Sequence, residues 1–89
     1  MIIQVTGYKN VEYTNKNNQQ VKGLDVHGLV SKPDFDDKNV EGKLSFSSFF
    51  SLQNLEGNVP IIGDEYEVVF AITEFAGEDR ARPHHLKEV

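Results

Sequence analysis

Gly63-Asp64-Glu65-Tyr66-Glu67-Val68-Val69-Phe70-Ala71-Ile72-Thr73 is the stretch that decides the fold. Tyr66, Val68, Phe70 and Ile72 alternate with Glu65, Glu67, Val69, Ala71 and Thr73. A period of two marks a strand with one face on a core and the other towards solvent. Ala76-Gly77-Glu78-Asp79 then turns the chain, and a last strand over residues 80–89 carries Arg82, Leu86 and Val89. Pro83 has no amide hydrogen, so it marks that strand as an edge or a kink. Upstream, residues 54–63 form a connector broken by Gly57, Pro60 and Gly63. Before the connector, a third strand places Leu44, Phe46 and then Phe50 on one side, with Lys43, Ser45 and Ser47 on the other. Phe49, Leu52 and Leu55 have the spacing of a short helical turn within residues 48–55.

The first third reads as one long hairpin, with arms over residues 3–14 and 19–31. Ile3, Val5, Val11 and Tyr13 share odd parity, and Gly7 marks a bulge or bend between the two pairs. Asn15-Lys16-Asn17-Asn18 is the turn, because asparagine tolerates left-handed backbone and bonds its own main chain. In the second arm Leu24, Val26, Gly28 and Val30 alternate with Asp25, His27 and Leu29. A polar loop opened by Pro33 follows. Five short strands without a long helix predict an all-β domain, an OB-like barrel that removes most sheet edges. A hairpin this long overruns a small barrel and projects as a wing.

Composition narrows the function. The 89 residues make one domain, with 38% hydrophobic and 26% charged residues. No apolar run reaches the ~18–20 residues that span a bilayer, so a membrane is not an expected partner. The start Met1-Ile2-Ile3-Gln4-Val5 lacks the basic region and apolar stretch of a signal peptide, which predicts a cytoplasmic location. Without cysteine, disulfides, thiolate chemistry and thiolate-bound zinc are excluded. The net charge of −5 counts against polyanions, but it is uneven. Residues 1–32 carry four lysines against Glu12 and Asp25, whereas residues 59–89 carry three cations against seven carboxylates. Arg80 and Arg82 make a smaller basic spot within that acidic segment.

No catalytic constellation emerges. His27, His84 and His85 have no nucleophile at a useful spacing, and adjacent strand residues such as His84 and His85 face opposite ways, so at most one enters a given site. Asp34, Asp36 and Asp37 lack the glycine and distal glutamate of a calcium loop and read as a solvated acidic loop. No phosphate-cradling glycine motif is present. A non-enzyme is expected, with no cofactor, metal or small-molecule substrate.

The basic and aromatic positions remain. Binding of single strands without base preference needs cations along the backbone and aromatic faces for stacking. Tyr8, Lys9, Tyr13, Lys16 and Lys22 lie on the first hairpin. Of these, Tyr8 serves equally well as a rim residue of the core. Phe49 and Phe50 are neighbours, so one faces inward and the other is a platform. Phe75 stands at the entrance to the last turn, close to Arg80. The candidate nucleic-acid-binding residues are therefore Lys9, Tyr13, Lys16, Lys22, Phe49, Phe75, Arg80 and Arg82.

The order of elements resembles the small helix-destabilising, single-stranded DNA-binding proteins of filamentous phages (the gene V protein family), with relatives on Gram-positive phages, plasmids and conjugative elements. The resemblance spans almost the whole chain. It runs from Ile2-Ile3-Gln4-Val5 through Val11-Glu12-Tyr13-Thr14-Asn15-Lys16, Gly23-Leu24-Asp25-Val26 and residues 42–49. It ends with Gly63-Asp64-Glu65-Tyr66-Glu67-Val68-Val69-Phe70 and His85-Leu86-Lys87-Glu88-Val89. It implies a five-stranded OB-type barrel, a homodimer and cooperative coating of single strands, with Lys16 and Lys22 near phosphate-contacting positions. Where that family has aromatics in the second arm and the fourth turn, this chain has Leu24 and Glu78, with Phe75 only nearby. Where the family has a basic residue in the last strand, this chain has His85.

The expected function is sequence-independent binding of single-stranded DNA during replication or transfer of a phage or mobile element. The rival is a protein-interaction or structural module that works through the acidic surface of residues 33–79.

Overall fold

The structure, a computed structural model, describes residues 1–34 and 37–89, so Phe35 and the acidic-loop residue Asp36 lie outside the described residues. The side chain of Phe75 lies outside them too. The fold is all-β. Five strands, β1 (Ile2–Thr14), β2 (Gln20–Lys32), β3 (Ser45–Ser51), β4 (Glu65–Phe75) and β5 (Glu78–Glu88), form one antiparallel sheet in the order β3-β2-β1-β4-β5. The sheet curls until its outer strands β3 and β5 come within 8 Å in Cα–Cα distance at several positions. No ladder joins β3 to β5 among the described residues. Instead the turns over residues 52–57 lie across the gap, and Leu55 is buried in the core.

The core is Ile3, Val5, Leu24, Val26, Phe50, Leu55, Tyr66 and Val68, with Phe46, Leu52 and Leu86 packed around it. Phe46 and Phe50 meet with ring centroids 6.4 Å apart. The buried Tyr66 keeps its hydroxyl satisfied by accepting from the Ile61 amide at 2.9 Å. The hairpin turn follows its asparagines: Asn15 Oδ1 accepts from the amides of Asn17 (2.9 Å) and Gln19 (3.0 Å), and Asn18 has φ 56°.

Four expectations change. First, the bulge expected at Gly7 is present, with Thr6 as its extra residue, but it ends the shared parity of the two residue pairs on either side. Odd-numbered residues therefore face the core before the bulge and solvent after it. Val5 pairs with buried Gly28, whereas Val11 pairs with Gly23 and Tyr13 with Val21 on the opposite face from Leu24 and Val26. Second, Phe49 and Phe50 belong to β3, and the helical turn shrinks to hydrogen-bonded turns that start at Ser51, with Leu55 N donating to Ser51 O at 3.1 Å. Leu44 stays outside β3 and is 54% exposed.

Third, Phe70 and Ile72 leave the core although Tyr66 and Val68 on the same face enter it. β1 pairs with β4 only at Ile2, Ile3 and Gln4, so β4 and β5 continue alone beyond the core. The β1–β2 ribbon overruns it too, and because β1 and β4 are antiparallel the two ribbons leave in opposite directions. The molecule measures 44 × 33 × 19 Å as a result.

Fourth, His84 and His85 do not face opposite ways. The β5 register slips here, with Val69 opposite His85 and Phe70 opposite Pro83, so His84 is the extra residue. A bulge sets both of its side chains on one side of the strand. The two Nδ1 atoms lie 2.9 Å apart and the rings meet edge to face. Pro83, without an N–H, sits beside this break in the ladder.

Candidate nucleic-acid interface

Directly opposed residues of an antiparallel pair share a face. Leu24, Val26 and Gly28 face inward, so their neighbours Asp25 and His27 face outward, as do the partners Lys9 and Gly7 on β1 and Phe49 and Ser47 on β3. The outer surface of β1, β2 and β3 thus carries Lys9, Val11, Tyr13, Asp25, His27 and Phe49.

Tyr13 and Phe49 are the aromatic centre of this surface. Their ring centroids are 5.7 Å apart and the planes cross at 64°. Residue 23 decides that contact. A Cβ on Gly23 would sit 2.4 Å from the Phe49 ring and 2.4 Å from the Phe50 carbonyl oxygen, so the ring lies directly on the Gly23 backbone. Tyr13 is 47% exposed and Phe49 half-buried, which leaves both with accessible ring surface. Phe49 faces out while Phe50 is buried, as neighbours on a strand must.

Charge around the rings is mixed. Lys9 stands opposite Asp25, and Asp25 Oδ2 lies 3.3 Å from His27 Nε2. Lys16 is exposed at the hairpin tip. Lys22 lies on the other face of the ribbon, opposite Glu12, where the Gln20 amide also donates to Glu12 Oε1. Tyr8 shares that inner face with Val26 and is 37% exposed.

Arg80 and Arg82 are far along the other ribbon. They stand opposite Thr73 and Ala71, on the outward face, and Arg80 Nη2 donates to Glu78 Oε2 at 3.4 Å. The backbone of Phe75 ends β4 opposite Glu78. The fold therefore brings Tyr13 and Phe49 together, sets Lys9 on their face with Asp25 between it and Phe49, leaves Lys16 at the tip, turns Lys22 away and puts Arg80 and Arg82 at the opposite end.

Sequence reading missed the apolar face of the β4–β5 ribbon. Phe70 opposite Pro83 and Ile72 opposite Ala81 make it, with Ile72 76% exposed. The alternation carries Phe70 and Ile72 onto the face of Tyr66 and Val68, but nothing in the sequence marks that β1 pairs with β4 at three residues alone. Among the described residues, no group of three or more His, Asp or Glu side chains gathers as a ligand set for a metal, and no helix is long and apolar enough to cross a membrane. No family model, no curated protein and no solved structure matches the chain.

Proposed function

We propose that this chain is a non-catalytic, OB-like module that binds single-stranded DNA largely without regard to sequence, coating strands during replication or transfer of a phage or mobile element. The observation that carries the reading is the Tyr13–Phe49 pair, exposed on the outer face of β1–β3 with Lys9 beside it and Lys16 at the tip of the adjoining loop. OB folds bind oligonucleotides across the faces of strands 2 and 3 and the loops that flank them. The resemblance to the gene V protein family points the same way. Stacking on one aromatic face is worth ~1–3 kcal/mol per base and works with any base. Lys9 and Lys16 neutralise phosphates, with Arg80 and Arg82 in a secondary role at the far ribbon.

The functional unit in this reading is a homodimer. Phe70, Ile72, Ala81 and Pro83 form an apolar ribbon face, on which Ile72 is 76% exposed among the described residues. A two-fold interface brings the same patch from each copy together, and a ribbon with one apolar face gains most from such a partner. Titration of a fluorescent oligo-dT at low and moderate salt tests the reading: saturable binding at micromolar protein that weakens with salt supports it, and no binding at low salt removes it. In the rival reading, a protein-interaction module working through its acidic surface, Lys9→Ala and Lys16→Ala leave the partner's binding intact.

A further inference from the structure

We propose that the His84–His85 bulge is a binding site for a divalent transition-metal ion that favours tetragonal geometry, copper(II) above all. The proposal is independent of the nucleic-acid reading. An ordinary strand separates adjacent histidines onto two faces; here the register slip puts both on one side, half-buried at the rim of the sheet. Their Nδ1 atoms are 2.9 Å apart, with one donating and the other accepting. The two nitrogens thus face one another across a small volume, with one N–H between them. A metal ion takes that proton's place once each ring turns about its Cβ–Cγ bond.

The spacing is already that of two neighbouring ligands, so only small ring rotations are needed. Nitrogens bound at ~2.0–2.1 Å and set 2.9 Å apart subtend roughly 90° at a shared ion. That is the angle between neighbouring ligands in square-planar and octahedral complexes; a tetrahedral zinc ion needs the nitrogens farther apart. The rings are inclined at 83°, so they do not crowd each other in such a complex. The pair lines a cleft of about 220 Å³ together with Asn54, Leu55, Glu56, Asn58 and Leu86, which leaves room for water beside the two rings. Two imidazole nitrogens with water oxygens completing a tetragonal array suit copper(II) and nickel(II), and copper(II) heads the affinity order for such sites. With two protein nitrogens and water completing the set, the expected affinity is micromolar rather than tighter.

The test is a titration of the untagged full chain with copper(II) chloride, followed by isothermal calorimetry and electron paramagnetic resonance. The expected result is one equivalent bound, a tetragonal spectrum with nitrogen hyperfine structure, and at least a tenfold loss of affinity in His84→Ala and in His85→Ala. His27→Ala, on another strand, keeps wild-type affinity. Because the bulge variants bear on the fold, paramagnetic broadening is read in the unaltered chain as well. Its amide signals for residues 54–58 and 84–86 should disappear first. Unchanged copper binding in a folded His84→Ala/His85→Ala double variant, broadening centred elsewhere, or no saturable binding overturns the proposal.

Discussion

Ala76 and Gly77 close the β4–β5 hairpin with φ values of 54° and 81°. Two consecutive left-handed residues are the signature of a type I′ turn, whose twist matches the flanking strands. Gly77 adopts that conformation freely, whereas the Cβ of Ala76 is strained by it. Ala76→Asn should therefore stabilise the protein by about 0.5–1 kcal/mol, read as a higher urea midpoint at unchanged slope. Gly77→Ala should do the reverse. Gly23 presents the opposite case, a close approach without a special φ. The Phe49 ring occupies the space of its missing side chain, a fact no local pattern in the sequence carries. Phe49 itself was legible as an outward ring because its neighbour Phe50 had to fill the core. Under the proposed function, Phe49→Ala weakens oligo-dT binding by about 1–3 kcal/mol and Tyr13→Ala by a similar amount. Either variant's retention of full affinity in an anisotropy titration would show that the pair is not a stacking platform.

Elements were legible wherever hydrophobic period and turn chemistry agreed. All five strands, the asparagine turn and the Ala76-Gly77 reversal follow from such agreement. Gly7 and Pro83 marked where the alternation breaks; what the alternation did not disclose was the exchange of faces that follows each break. A bulge adds one residue and exchanges faces downstream, and the bulges at Thr6 and His84, two of three register shifts among the described residues, do so at positions whose composition permits several outcomes. Thr6 sends Val11 and Tyr13 outward; the His84 bulge puts Arg80 and Arg82 on the outer face and Ala81 and Pro83 on the apolar one. The lysines of the first ribbon are consequently unequal. Lys9 shares a face with Tyr13, and Lys22 shares one with Glu12. Lys9→Ala and Lys16→Ala should each weaken oligo-dT binding and flatten its salt dependence, by about 0.7 in the slope of log K against log salt per lost phosphate contact. Lys22→Ala should have the smallest effect of the three.

At the scale of the whole molecule, a small curled sheet carries two ribbons that point in opposite directions, and among the described residues eight hydrophobic side chains form its buried core. Each of those eight matters in proportion: Phe50→Ala should cost about 3–5 kcal/mol, enough to unfold most of a domain this size, as chemical denaturation would show. The uncovered Ile72 predicts self-association. Ile72→Asp should lower the molar mass measured by sedimentation equilibrium from dimer to monomer while leaving the circular dichroism spectrum unchanged. A wild-type chain that sediments as a monomer at every concentration contradicts the dimer. Net charge was readable from composition, but its distribution was not, because register and ribbon direction decide which cations meet. In the proposed function, two rings and Lys9 on the outer face of β1–β3, with Lys16 at the hairpin tip, outweigh an overall charge of −5 for a polyanion. Fluorescence anisotropy of labelled oligo-dT, titrated with the wild-type chain and a Tyr13→Ala/Phe49→Ala variant at low salt, decides this. The expected result is saturation at micromolar wild-type protein and a loss of at least tenfold in the variant. Equal curves for the two proteins, or no wild-type saturation, would contradict it.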